Sequence, residues 1–275
     1  MGDVFSFDEG KINEMKQDMR VSVICVYNKT NVFENLLKKS LKRQFLQAEL
    51  IAVDNTKRRY SSAAKALNYG ASVATGNVLV FVHQDVSFET PDALAEIVRI
   101  FCSNSGEGDI GGIVGAAFDE NGNKCIVAGS KVNFLGEPEG EKGFADDFRY
   151  AETIDELLII MTAETYKLHP FDNKTCRGWH YYAVEQCLNA RKNKKKVLAI
   201  NAGIKHLSTG VFDDKFYWAE YRVARKYKSM DRIIGTCCDF KPRPLFEHLH
   251  RAIIWTLSRK KKDIEYKLVN LIRSE

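Results

Sequence analysis

The sequence predicts an α/β protein of Rossmann-like type, with a mostly parallel central sheet and a helical C-terminal extension. Apolar strand-like runs alternate with amphipathic segments in the order β-α-β-α-β-α-β through the first half of the chain. The run Val78–Val82 is continuous, short and rich in β-branched residues, which is typical of a strand covered on both faces. Parallel strands joined by right-handed crossovers follow from this order.

The elements of the first half follow one another at regular intervals. The predicted strands are Val21–Tyr27, Glu49–Asp54, Val78–Val82, which ends at His83-Gln84-Asp85, and Gly112–Phe118. The predicted helices are Asn31–Arg43, Ser61–Ala74 and Pro91–Phe101, the last with a proline in its first turn.

The second half is less regular. Residues 136–150 are rich in Gly, Glu and Asp and are predicted as a mobile loop. The later elements are predicted as a strand at Glu156–Met161, a helix over residues 179–191, a strand at Lys196–Asn201 that leads to Ile204–His206, and helices from Asp214 onwards. We therefore divide the chain into an arm (1–20), a main domain (21–210) and a basic helical extension (211–275).

Charge is distributed unevenly along the chain. The net charge is +5, but residues 215–275 hold fifteen Lys and Arg against seven Asp and Glu. This asymmetry indicates either an anionic partner, such as a membrane surface or an anionic glycan or lipid, or a solvated helical face. No nucleic-acid-binding module accompanies the charge, so we expect no nucleic acid partner.

Neither a membrane span nor a secretory signal is apparent. The apolar runs are shorter than the roughly 18 residues that a span requires, and the N-terminus has no signal-peptide pattern. We expect a cytoplasmic protein, held at the inner face of the membrane if its basic extension binds lipid. The seven cysteines form no C-x-x-C pair and are expected to be reduced rather than paired or bound to zinc.

Polar residues follow three of the predicted strands. These are Tyr27-Asn28, Asp54-Asn55 and His83-Gln84-Asp85. The carboxyl ends of parallel strands meet at one edge of a sheet, where ligands bind. No Walker loop and no G-x-G-x-x-G follow the first strand, which argues against a P-loop enzyme and a dinucleotide dehydrogenase. The remaining interpretation is a site that holds a nucleotide through side chains and a metal.

Six segments in this order resemble the family 2 glycosyltransferases with the GT-A fold, over residues 20–210. The segments are Val21–Asn28, Leu41 with Gln44, Val53–Asn55, Ala66–Gly70, Ala74–Gly76 and Phe81–Asp85. The resemblance implies transfer of a sugar from a nucleotide-diphosphate donor, with a UDP-sugar expected, to a hydroxyl of a glycan or lipid-linked acceptor. It also implies inversion at the sugar and a divalent metal.

The resemblance implies roles for residues along the donor. The base and ribose would contact Val26, Tyr27 and Asn28, and Asp54, followed by Asn55, would hydrogen-bond a uracil-type ring. Asn68 and Gly70 would line the diphosphate. Two plainer interpretations stay open: Asp54 as a turn residue that ends a strand, and Asn68 as a packing or capping residue.

The metal motif departs from the family pattern. Where the family has D-x-D, this chain has His83-Gln84-Asp85, so Asp85 matches the metal-binding acid and His83 replaces the first. His83 is then a ligand of the ribose, of the donor or of the metal. His206 in a later H-x-S-x-G segment would complete a Mn²⁺ or Mg²⁺ site, and its imidazole favours Mn²⁺.

The general base of the implied site has two candidates. Ala183 stands where the family usually has a base aspartate, which leaves Glu185 and His180 as candidates, although Glu185 also fits a surface helix acid. Asp155 and Glu156 would touch the donor or acceptor sugar. Trp179 is either a sugar-stacking platform or a core residue.

Two other functions compete with sugar transfer. The missing first acid and Ala183 are consistent with an inactive relative that only binds a nucleotide-sugar or a glycan. A nucleotidyltransferase would share the sheet architecture, but the glycine-rich basic loop of such enzymes is missing after Tyr27.

Overall fold

The computed structural model of the chain describes residues 19–134, 143–207 and 212–273. Its strands in chain order are β1 (Val21–Tyr27), β2 (Glu49–Asp54), β3 (Val78–Val82), β4 (Val86–Phe88), β5 (Ile110–Gly112), β6 (Val114–Phe118), β7 (Lys124–Ala128), β8 (Val132–Phe134), β9 (Phe148–Tyr150), β10 (Thr153–Ile154), β11 (Leu158–Thr162), β12 (Val197–Ile200), β13 (Ile204–His206), β14 (Ile233–Gly235) and β15 (Cys238–Phe240). The helices are α1 (Thr30–Phe33, continuing through a π-helical turn at Glu34–Lys38 to Lys39–Leu41), α2 (Ala63–Ser72), α3 (Ala93–Asn104), α4 (Ala163–Leu168), α5 (Tyr182–Lys192), α6 (Asp214–Lys226) and α7 (Leu245–Arg273).

A seven-stranded sheet in the order β2-β1-β3-β11-β5-β12-β9 forms the centre of the described part of the chain. Strand β1 pairs in parallel with β2 and β3, and β12 pairs in parallel with β5. All five residues of β3 are buried, as its unbroken apolar run predicts. The predicted α/β class with a mostly parallel sheet is confirmed.

Helix α2 packs closely against the first two strands. Ser62 caps its start by accepting a hydrogen bond from the backbone N–H of Lys65. A Cβ at Gly70 would lie 2.5 Å from the side chain of Ile24 on β1, so only glycine allows this approach. Gly70 therefore serves helix-sheet packing, and its expected place beside the diphosphate stays a prediction.

The predicted strand Gly112–Phe118 is wrong as a single element. The chain divides at Ile113, so that β5 joins the central sheet and β6 joins a separate three-stranded sheet with β7 and β10. Strand β11 then enters the central sheet between β3 and β5, antiparallel to both. The simple β-α-β order therefore ends after β3.

The apolar run that begins at Val78 ends before His83, as the sequence predicts. Strand β3 ends at Val82, and β4 begins at Val86 in a second sheet, where it pairs antiparallel with β13. The pairing places Val86 opposite His206, and the backbone N–H of Leu207 donates to the carbonyl of Asp85 at 3.1 Å. The turn His83–Asp85 thus lies between the two sheets.

The C-terminal part is not purely helical. Helices α6 and α7 are separated by the β14–β15 hairpin, so the prediction of helices throughout from Asp214 is wrong at Ile233–Phe240. Tyr181 and Leu188, at and within α5, pack with Val223 of α6 and Phe240 of the hairpin in one buried cluster. The C-terminal extension therefore packs against helix α5 and stabilises its position.

Several expectations concern residues outside the described ranges. These are nearly all of the arm at 1–20 and residues 136–142 of the predicted loop at 136–150; within the described rest of that loop, Phe148–Tyr150 form an edge strand of the central sheet. Within the described residues, none of the helices has both the length and the apolar content needed to cross a bilayer. All seven cysteines have free thiols.

Candidate active site

A cavity of about 370 Å³ opens at the carboxyl ends of β1 and β3. Seven residues predicted from the strand-end motifs and the acid pair line it: Val26, Tyr27, Asn28, His83, Gln84, Asp85 and Glu156. Trp179 also lines it, and so do five residues to which the sequence assigns no site role: Ala63, Leu67, Phe81, Val82 and Tyr182. The volume suits a small-molecule ligand.

His83, Asp85 and His206 form a cluster beside this cavity. One ligand atom from each lies within 4.8 Å of the others, a grouping of potential metal ligands among the described residues. Asp85 Oδ1 lies 3.5 Å from Nε2 of His206 and 3.9 Å from Nδ1 of His83. A carboxylate and two imidazoles form a donor set that suits Mn²⁺ and similar divalent metals, so the residues fit the metal that the resemblance implies.

Tyr182 fixes the orientation of His83. The hydroxyl of Tyr182 lies 2.8 Å from Nε2 of His83 and donates to the backbone carbonyl of Glu156 at 3.3 Å. The hydroxyl has one proton, so Nε2 of His83 is the donor to the phenol oxygen. The unprotonated Nδ1 then faces Asp85, which is the form of histidine that binds a metal.

The surroundings of His83 favour its neutral form. Burial lowers the pKa of His83, and the charge of His206 lowers it further, while Asp85 and Asp155 oppose this effect. A neutral imidazole keeps its Nδ1 lone pair available at neutral pH.

Gln84 connects the turn to the loop after β1. Its Oε1 accepts hydrogen bonds from the backbone N–H groups of Asn28 (3.1 Å) and Lys29 (2.9 Å), and its Nε2 donates to Oδ1 of Asn28 at 2.9 Å. The side chain between His83 and Asp85 therefore holds the first strand-end segment in place.

Glu156 lies at the N-terminus of α5. Its carboxylate accepts a hydrogen bond from the backbone N–H of Tyr182 at 3.0 Å and interacts with the N–H groups of Tyr181 and Ala183. Tyr181 has a left-handed backbone with φ 68°, which turns the chain into the helix. Burial raises the pKa of Glu156 well above its usual range, the charge of Asp155 adds to the rise, and the N–H groups oppose it.

The structure does not bring Glu185 and His180 to the cavity lining. Glu185 is 2% exposed and is bound by Lys226 at 2.5 Å and by the hydroxyl of Tyr227 at 2.7 Å. It is thus a buried, paired acid and not a surface one. His180 lies 3.4 Å from Asp213 and packs edge-on against Phe216.

Two expected donor residues have structural partners away from the cavity. The amide of Asn68 bonds to both backbone groups of Phe171 and accepts from the hydroxyl of Tyr166. It therefore pins the loop before α5, in agreement with the packing interpretation. The amide of Asn55 bonds to both backbone groups of Tyr60 and so closes the turn after β2.

Asp54 and Asp155 flank the cavity without lining it. Asp54 is exposed at the end of β2, in register with Tyr27, and accepts from the backbone N–H of Thr56 at 2.7 Å. That hydrogen bond lowers the pKa of Asp54, which keeps it ionised. Asp155 accepts from the backbone N–H of Leu157 and from the hydroxyl of Thr236.

The arrangement of strands and helices defines the class: it is the GT-A fold of glycosyltransferases. The comparisons agree, since residues 22–213 match the family described as "Glycosyltransferase like family". The chain belongs to this family, and the resemblance to family 2 is confirmed. No curated protein matches the sequence.

Solved structures share the fold at low sequence identity. The crystal structure of GalNAc-T7 with UDP, GalNAc and Mn²⁺ superposes with a TM-score of 0.52 at 12% identity, over 77% of this chain and 51% of that one. The structure of S. aureus TarS 1–349 superposes with a TM-score of 0.50 at 16% identity, over 76% of this chain and 65% of that one. Its complex with UDP gives the same values. This chain thus spans about half of the first protein and just under two thirds of the second.

Proposed function

We propose that this protein transfers a sugar from a nucleotide-diphosphate donor, a UDP-sugar, to a hydroxyl of a glycan or lipid-linked acceptor. The observation that carries the proposal is that the His83–Asp85–His206 cluster and the carboxylate of Glu156 border one cavity at the carboxyl ends of β1 and β3. Crystal structures with the same fold contain UDP in TarS, and UDP with Mn²⁺ in GalNAc-T7.

The nucleotide would lie at the end of β1. Val26, Tyr27 and Asn28 line the cavity there. The ring of Tyr27 stacks on that of Phe33 with centroids 4.5 Å apart, which holds it in place. Asp54 stands next to Tyr27 with its carboxylate ionised and reachable from solvent, so it can accept a hydrogen bond from a uracil N–H.

Asp85, His206 and His83 would hold the divalent metal. Bound there, the metal would supply positive charge that stabilises the departing diphosphate. Two imidazoles in the donor set favour Mn²⁺ over Mg²⁺, because Mg²⁺ prefers oxygen ligands. His83 would thus serve as a ligand in place of the missing first acid.

Glu156 would act as the general base. It takes the proton of the acceptor hydroxyl while that oxygen forms a bond to C1 of the sugar, and the C1–oxygen bond to the diphosphate breaks with its electron pair on the leaving group. Attack from the face opposite the diphosphate inverts C1. A base with a raised pKa accepts a proton more readily, and such a base typically contributes ~10²–10⁴-fold in rate.

The position of Glu156 offers a reason why Ala183 is tolerated. The family's usual base would come from the start of this helix, where the chain has Ala183. Glu156 reaches the same helix N-terminus from the segment before β11 and is held by its backbone N–H groups. Trp179, 37% exposed in the cavity wall, would offer its ring face to a sugar.

The second candidate is a relative that binds a nucleotide-sugar without transferring it. The raised pKa of Glu156 favours this candidate, because a protonated carboxyl cannot accept the acceptor's proton. Turnover separates the two: a protein that binds UDP but consumes no UDP-sugar across a range of pH and acceptors is a binding protein.

A thermal-shift panel tests the donor and the metal together. UDP, GDP, CDP and dTDP are each added with and without Mn²⁺, and we expect UDP to raise the Tm most, with a larger rise when Mn²⁺ is present. Asp85→Asn should abolish the metal-dependent part, whereas the surface control Asp231→Asn should retain it. A Tm that responds to none of the nucleotides would contradict the proposal.

A further inference from the structure

Helix α7 has an inner face that packs against α6. His248 and Ala252 are buried on this face, and Trp255 stacks on Tyr217 of α6 with ring centroids 4.7 Å apart. Further along, Arg259 pairs with Asp214 at the start of α6. These contacts fix the rotation of the helix about its own axis, and so determine which residues face outward.

The outward face carries an apolar stripe. Phe246, Ile253, Leu257 and Ile264 are 68%, 41%, 59% and 59% exposed. At about 100° per residue these positions fall within about 40° of one another, and they extend along about 27 Å of the helix. An exposed apolar surface of this length marks a binding site more often than chance exposure.

Lysines flank the stripe. Lys260 and Lys261 are both exposed, and the helical repeat places them on opposite sides of the line through Leu257 and Ile264. An apolar line with cations on both sides is the layout of helices that lie in the plane of a lipid surface, where the apolar side chains enter the acyl boundary and the lysines meet phosphates.

We propose that this outer stripe of α7 binds an anionic lipid surface. Charge decides between lipid and a second copy of the chain. Two copies joined through the stripe would bring Lys260 and Lys261 of each next to an apolar contact, at the cost of desolvating like charges, whereas anionic headgroups neutralise them. The inference goes beyond the sugar-transfer reaction and requires no nucleotide, so either can fail without the other.

Vesicle sedimentation with the full chain tests the stripe. Phosphatidylcholine vesicles with and without phosphatidylglycerol are compared, and we expect the protein to pellet with the anionic vesicles and to be released by salt. Lys260→Gln with Lys261→Gln should weaken this binding by about fivefold for each lysine. Ile253→Ser with Leu257→Ser should weaken it by at least about tenfold, because two apolar side chains no longer enter the lipid.

Matched controls remove the same groups elsewhere on the surface. Lys42→Gln with Arg43→Gln removes two exposed cations, and Phe45→Ser with Leu168→Ser removes two exposed apolar side chains. Both control pairs should bind vesicles like the unchanged protein, and thermal melting should show that every variant is folded.

Two results would overturn the inference. One is equal pelleting with neutral and anionic vesicles, or none with either. The other is a dimer in analytical ultracentrifugation that Ile253→Ser with Leu257→Ser converts to a monomer while vesicle binding is unaffected, which would assign the stripe to a second copy.

Discussion

The hydroxyl of Tyr182 lies 2.8 Å from Nε2 of His83 and joins the first turn of α5 to the end of β3. The same hydroxyl donates to the carbonyl of Glu156, so one phenol orients the metal-facing histidine and contacts the segment that carries the proposed base. The departure from D-x-D is thus accompanied by a partner that prepares the imidazole for a metal.

Tyr182→Phe tests this relationship. Loss of the hydroxyl leaves Nε2 of His83 without its phenol partner and frees the ring to turn, so we expect Mn²⁺ affinity in the presence of UDP to fall about 10–100-fold. Titration of Mn²⁺ by electron paramagnetic resonance measures this directly. Tyr227→Phe, which removes a hydroxyl bonded to Glu185 away from the cavity, should keep normal affinity. Equal affinity in all three proteins would contradict the role given to Tyr182.

Glu156→Gln separates catalysis from folding. We expect transfer to fall by ~10²–10⁴-fold, because the amide cannot accept the proton. The same substitution should stabilise the fold. The pKa of Glu156 is raised in the folded state, so the unchanged protein loses folding free energy as the pH rises from the ordinary value of 4.5 through the folded pKa, and the glutamine variant does not.

The Tm advantage of Glu156→Gln should therefore be small in acid and grow towards neutral pH, as measured by calorimetry across a pH series. The transfer rate of the unchanged protein should fall in acid with a midpoint above 4.5, since Glu156 must be ionised to act. A variant that retains full transfer would remove Glu156 from the mechanism.

Glu185→Gln tests whether Glu185, one of the two bases suggested by the sequence, acts in catalysis. Glu185 is buried and bound by Lys226, so its loss should lower the free energy of unfolding by about 1–2 kcal/mol, less than for a fully buried pair because Lys226 is partly exposed and keeps Asp172. The transfer rate should stay within about twofold of that of the unchanged protein, because Glu185 does not line the cavity and its loss removes no interaction with the transition state. Denaturant unfolding and steady-state kinetics measure the two effects, and a large loss of kcat in a folded variant would restore Glu185 as the base.

Gln84→Leu tests the clamp on the loop after β1. Leucine removes the acceptor for the N–H groups of Asn28 and Lys29, so we expect the loop to loosen and UDP affinity to fall about tenfold, the equivalent of one or two hydrogen bonds. Calorimetric titration with UDP gives the affinity. Gln47→Leu, the same change at an exposed glutamine outside the cavity lining, is the control, and equal UDP affinity in both variants would show that the clamp has no part in binding.

The sequence predicts the donor half of the fold well because the signals there are local. The apolar runs of β1, β2 and β3 and the helices between them are each visible within a short window, and parallel strands place their carboxyl ends together. Val26, Tyr27, Asn28 and the His83–Asp85 turn therefore meet at the cavity as expected.

The acceptor half depends on pairings between distant segments, which periodicity does not reveal. The Gly112–Phe118 run has no turn residue at Ile113 that would signal its division between two sheets. Asn68 carries a motif typical of the family, yet its amide is used by Phe171, which lies more than one hundred residues later. The hairpin β14–β15 has strands of only three residues, too short for an alternating pattern to distinguish them from the helices predicted from Asp214 onwards.

By itself, the sequence determined the α/β class, the family and the strand-end residues that border the cavity, because strand and helix periods and motif order are properties of neighbouring residues. Only the tertiary structure decided which acid lines the cavity in addition to Asp85. It places Glu156 on the N–H groups of α5, pairs β13 with β4 so that His206 meets Asp85, and buries Glu185 against Lys226. The physical reason is that hydrogen bonds and burial across sheets and helices, rather than chain proximity, determine the position and ionisation of each side chain.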